Sequence, residues 1–126
     1  MTHRARVRLR YRPSADVLSG EVLRPRPVEG VVEHADDDTF LGWSRVDGRD
    51  WLAAFHVLDA RRRHDTDGTL LHLPAQLARA AERLLAHGAA ALVSEASVTS
   101  RINLVVETVV EVDSSILRRR TLVEAR

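Results

Sequence analysis

Apolar and basic residues alternate without a break at the start of the chain: Ala5, Val7, Leu9 and Tyr11 against Arg4, Arg6, Arg8, Arg10 and Arg12. A period of two sends the sets to opposite faces of a β-strand, one buried and one wet. Pro13-Ser14 predicts a tight turn, because proline presets the dihedral of the first turn position. A second strand is expected from Ala15 to about Val22, with Leu18, Gly20 and Val22 towards the core. A two-residue loop would set Tyr11 opposite Asp16 and Leu9 opposite Leu18; a three-residue loop would shift that register. Arg24-Pro25-Arg26-Pro27 argues against a central strand, since alternate prolines remove ladder donors. Val28 to His34 predicts a third strand, and Asp36-Asp37-Asp38 a turn. Thr39 to Val46, Asp47-Gly48 and Trp51 to Leu58 form the clearest hairpin. Its second arm sets Trp51, Ala53, Phe55 and Val57 on one face, with Leu52, Ala54, His56 and Leu58 on the other. Both faces are largely apolar, which predicts a central strand covered on both sides.

The period then changes. Arg61 to Gly68 is charged and predicts a loop, whereas Pro74 and Gly88 bracket a helix over Pro74 to His87. Leu77, Ala81, Leu84 and Leu85 give that helix one apolar stripe. Ala89 to Ala96 fits helix or strand. Ile102 to Val112 alternates again and predicts a strand, with Ile102, Leu104, Val106, Val110 and Val112 on one face. Ser114-Ser115 suits the cap of a final helix ending near Ala125, with a terminal strand as the alternative. The expected fold class is α+β, an antiparallel β-meander packed by at least one helix. A single domain over 1–126 is expected, with the meander over about 5–60 and a helix-strand extension over 70–126.

Composition narrows the chemistry. The 126 residues are 44% hydrophobic and 29% charged, values of a globular chain rather than a disordered or membrane one. No signal-peptide core follows the basic N-terminus, and no apolar run approaches a membrane span, so a cytoplasmic protein without membrane contact is expected. With no cysteine, disulfides, thiolate metal sites and a cysteine nucleophile are excluded. All 19 basic side chains are arginine, for which a GC-rich genome is a sufficient explanation, and the net charge is only +1.

Candidate sites follow from distribution. The arginines at 4, 6, 8, 10 and 12 would stand about 6.6 Å apart on one strand face, a spacing that can follow a phosphate backbone. The plainer reading is a solvated or salt-bridged face that protects a sheet edge, with Glu21, Glu29 and Glu33 available as partners. Trp43, Trp51 and Phe40 flank the best hairpin, and the choice for them is core packing or an exposed partner-binding anchor. His34 beside the three aspartates, and His64 between Arg63 and Asp65, lack calcium-loop spacing and predict no metal site. His56 and His72 fit packing roles better than catalysis. Ser94, Ser97 and Ser100 have no nucleophile elbow around them. No catalytic residue and no cofactor is predicted.

The segment Tyr11-Arg12-Pro13-Ser14-Ala15-Asp16-Val17-Leu18 resembles the Y-x-P-x-A-D-x-L opening of a bacterial family, domain of unknown function 2283. Asp36-Asp37-Asp38 and Val57-Leu58-Asp59-Ala60 fall where that family has an acidic turn and a closing strand. The resemblance spans about Val7 to Arg61. It implies a small non-catalytic β-meander module, a regulator or the neutralising partner in a two-gene system. The expected function is therefore protein–protein interaction, as a homo-oligomer or with a protein partner. The alternative is a nucleic-acid-binding regulator using the arginine face.

Overall fold

A computed structural model describes residues 4–24 and 30–119. It shows a six-stranded antiparallel sheet with helices packed on one face, an α+β architecture. The strands are β1 (Arg4–Arg12), β2 (Val17–Arg24), β3 (Gly30–Asp36), β4 (Thr39–Val46), β5 (Arg49–Leu58) and β6 (Val106–Asp113). Their spatial order is β3-β4-β5-β2-β1-β6, so the meander is closed on one side by the late strand β6 against β1. The helices are α1 (Ala60–Asp67), α2 (Ala75–Ser94) and α3 (Val98–Asn103), and a 3-10 turn covers Ser114–Leu117.

The alternation in β1 does what its period requires. Ala5, Val7, Leu9 and Tyr11 are all buried, while Arg4, Arg6, Arg10 and Arg12 are exposed and Arg8 is half-buried. The β1–β2 loop, however, is four residues long, Pro13 to Asp16, closed by the Asp16 amide donating to the Pro13 carbonyl at 3.2 Å. Tyr11 therefore faces Leu18 and Leu9 faces Gly20, rather than the register of a two-residue loop. The Arg24-Pro25-Arg26-Pro27 connector lies mostly outside the described residues, and β3 begins at Gly30 and runs on to Asp36. Asp47 and Gly48 both take positive φ, the primed turn that matches strand twist and that Asp-Gly adopts readily.

Strand β5 departs from simple alternation. Gly42 pairs with Ala54 but Trp43 pairs with Leu52, so Ala53 is a bulge residue. The bulge brings Leu52 into phase with buried Phe55 and Val57. The strand is central, but one side only is covered: His56 and Leu58 are exposed.

Most of the segment 61–68, expected as a loop, belongs to α1. Its N-terminus has no local cap, because Asp59 sits in the left-handed region and its side chain makes no cap bond. Asp16 caps it instead, across the fold. Its Oδ1 accepts from the Arg61 amide at 2.8 Å, its Oδ2 from the Arg62 amide at 3.3 Å and its carbonyl from the Ala60 amide at 3.0 Å. Gly68, at φ 77°, ends the helix by donating to the His64 carbonyl.

Helix α2 runs through Gly88 to Ser94, past the expected stop at His87, and settles Ala89 to Ser94 as helix. It packs on β1 and β6. Leu77, Ala81, Leu84, Leu85 and Gly88 are its buried stripe, and each large apolar side chain removed from water there contributes about 1.5–3 kcal/mol. Gly88 is a close approach: a Cβ would lie 2.5 Å from Tyr11 Cδ2 and 3.1 Å from Pro13 Cγ. Gly88→Ala gains about 1 kcal/mol of helix propensity and loses about 1–3 kcal/mol to overpacking. A net destabilisation of about 1 kcal/mol is expected in urea unfolding, and a more stable variant would mean that the Tyr11 ring yields.

Beyond α2, Ile102 belongs to α3 and not to a strand, and β6 starts at Val106. Val106, Val110 and Val112 do face the covered side. Ser97 caps α3 by accepting from the Ser100 amide. Asp113, rather than Ser114, caps the 3-10 turn, and its bonds to Ser115 hold its carboxyl below the usual range. At the start of the expected final helix only this 3-10 turn forms, and Arg118 then bridges to Trp51; residues 120–125 of the expected helix lie outside the described residues.

Candidate functional site

Among the described residues, the helices leave the second face of the sheet bare. Across it the register lines up one residue from every strand: Glu107, Arg10, Ser19, His56, Phe40 and His34. Arg10 Nε donates to Glu107 Oε2 at 2.8 Å, with both side chains about half exposed. Such a surface pair is worth no more than about 1 kcal/mol. His34 meets Phe40 edge-on, with ring centroids 4.4 Å apart. Towards the β6 end, Arg10, Arg12, Ser19, His56 and Glu107 line a groove of about 510 Å³, together with Ala15, Val17 and Val105.

The predicted arginine row is present on this face, and it is interleaved with acids. Arg6 stands opposite Glu111, Arg10 opposite Glu107 and Arg8 opposite Glu21. Of the carboxylates foreseen as partners, Glu21 takes that place, Glu29 lies outside the described residues, and Glu33 pairs elsewhere, with Arg119.

The predicted aromatic patch is divided between two faces. Trp43 points to the covered side, packed against the core, with the Arg119 guanidinium 5.1 Å from its ring centroid. Its indole Nε1 is buried and has no hydrogen-bond partner among the described residues. Phe40 lies on the bare face, whereas Trp51, opposite buried Ser44 and bridged to Arg118, is half-buried and packs against the core.

A second polar cluster joins α1 to the β3–β4 turn, and its central residue, Arg63, belongs to the charged segment expected as a solvated loop. Arg63 pairs with Asp36, lies 3.5 Å from Asp38 and reaches 3.9 Å to Asp67. His72 Nε2 donates to Asp36 Oδ2 at 2.9 Å, and the Asp38 amide donates to Asp36 Oδ1 at 2.8 Å. Partial burial opposes ionisation of Asp36, but the Asp38 amide, Arg63 and His72 outweigh it and hold the carboxyl below the usual range. The adjoining cavity, lined by Thr39, Val57 and Leu70 among others, is about 10 Å³, room for a single water. The cluster is a clasp between elements. Its charge pattern was visible in the sequence, but its convergence depends on tertiary contacts.

Among the described residues, no three His, Asp or Glu side chains gather as a metal site. No helix among them is long and apolar enough to cross a membrane. Comparison with family models, with curated proteins and with solved structures finds no match to this chain.

Proposed function

We propose that the chain is a non-catalytic protein-interaction module that self-associates by pairing its β3 edge with β3 of a second copy. The observation that carries this reading is the edge itself. Among the described residues β3 pairs only with β4, and Val31 and Val32 on it are 73% and 67% exposed, one towards each face of the sheet. Unpaired strand edges with exposed β-branched residues are templates for another strand. An antiparallel self-pair centred on Val32 sets Val32 against its own copy and Val31 against Glu33, with no like-charge contact. The other open edge is less suited. A self-pair of β6 centred on Val109 would set Glu107 opposite a second Glu111.

The nucleic-acid reading has weaker support. Glu21, Glu107 and Glu111 flank the arginine row, and no aromatic residue interleaves with it as a stacking platform. Catalysis also has little support: the Asp36–His72 pair shares its oxygen with Arg63 and opens on a single-water cavity.

Light scattering over a micromolar concentration series tests the proposal. The wild-type chain is expected to reach twice its 14.1 kDa mass, and Val32→Glu, which puts carboxylates face to face, is expected to stay monomeric. A wild-type mass that remains at one chain throughout would overturn it.

A further inference from the structure

The groove on the bare face lies between β5 and β6, at the opposite end of the sheet from β3, and its chemistry is independent of any self-pairing. At about 510 Å³ it falls inside the range of roughly 300–1,000 Å³ typical of small-molecule sites. Its floor is the middle of the cross-strand row, Arg10, Ser19 and His56, with Arg12 and Val17 one pair further along β1 and β2. Val105 and Ala15 supply apolar walls.

Several donors here are uncommitted. Arg10 engages Glu107 through Nε, so its two terminal nitrogens make no hydrogen bond among the described residues. Arg12 has no carboxylate within 4 Å among those residues, and neither Ser19 Oγ nor the His56 ring is bonded to them. Two arginines against one glutamate leave a single net positive charge in the groove. A guanidinium fork matches a planar carboxylate with two parallel hydrogen bonds. One net charge balances a monoanion, whereas a phosphate ester would bring a second, uncompensated charge next to Glu107. Val17, Val105 and Ala15 offer apolar surface to the rest of such a ligand. We propose that this groove binds a small organic monocarboxylate with a flat apolar body, its carboxylate held by Arg12 and the terminal nitrogens of Arg10.

The probe is 2-naphthoate, titrated into the full chain while backbone amide shifts are followed by NMR. Saturable shifts are expected at Val17, Ser19 and His56. The uncharged isostere 2-naphthamide and the dianion 2-naphthyl phosphate are each expected to bind more weakly. Arg12→Glu is expected to weaken naphthoate about tenfold or more, the loss of a charge-assisted hydrogen bond. Arg79→Glu, on the exposed side of α2, should leave it unchanged. Should Arg12→Glu lose its dispersed amide spectrum, Ser19→Glu tests the same point by placing a carboxylate in the groove from the neighbouring strand. Absent or scattered shifts, equal affinity for the amide, tighter phosphate binding, or a groove variant that binds like the wild type would each overturn the assignment.

Discussion

Asp16→Ala is expected to destabilise the fold by about 3 kcal/mol, more than any other exchange of a solvent-accessible residue, because two separate structures end on one carboxylate. The first is α1, whose leading amides at Arg61 and Arg62 donate to Asp16 and to no residue of their own segment. Loss of a helix cap costs about 1 kcal/mol. The second is Tyr11, 1% exposed, whose hydroxyl donates to Asp16 Oδ1 at 2.7 Å. Burial, and then that bond, push the tyrosine well above its usual range. Without the acceptor, a buried hydroxyl is left unsatisfied, at about 1–3 kcal/mol.

Asp16 also sits at φ 54°, where alanine is strained and asparagine is tolerated. Asp16→Asn keeps one oxygen acceptor and should cost less than half as much. Urea denaturation read by far-UV circular dichroism measures both variants. An alanine variant within about 0.5 kcal/mol of wild type, the range of ordinary surface changes, would show that water replaces the carboxylate at both ends. Coupling between Tyr11→Phe and Asp16→Ala separates the two contributions, since only the tyrosine bond is shared by both variants.

This same carboxylate marks where local sequence reading ends. β1 and the stripe of α2 are legible because their burial repeats at the period of their own backbone. α1 is not: Ala60–Asp67 is charged almost throughout, and what makes it a helix is a cap placed 45 residues earlier. Gly88 has the local character of a helix end, yet its role is tertiary, admitting the Tyr11 ring. The Ala53 bulge has no local signature at all, and it alone decides that Leu52 joins the face of Phe55. The site follows the same logic. The arginines and His56 are individually conspicuous, but they share a groove only because β2 lies between β1 and β5, and β6 returns to β1. Those are pairings between strands distant in sequence, which periodicity does not specify.

Gly20→Val provides a test in which local preference and packing predict opposite signs. Gly20 lies in β2 between Leu9 of β1 and Phe55 of β5, in the centre of the sheet. By strand propensity alone, valine should stabilise, since glycine in a strand interior costs about 0.5–1 kcal/mol through its entropy and packs no side chain. The space is already filled. A Cβ at Gly20 would stand 2.2 Å from Phe55 Cε1 and 2.3 Å from Cζ, and that ring is 1% exposed with nowhere to move. Overpacking of this kind costs about 1–3 kcal/mol for a methylene, and valine brings three carbons. A net loss of about 3 kcal/mol is expected, with a lowered urea midpoint at an unchanged slope. The cause can be assigned by a second change. Phe55→Leu alone should cost about 1–2 kcal/mol as a reduction of core volume, but it opens the space that valine needs. The double variant Gly20→Val/Phe55→Leu is therefore expected to be more stable than Gly20→Val alone. Additive losses would place the penalty in the β2 backbone and leave the Phe55 ring uninvolved.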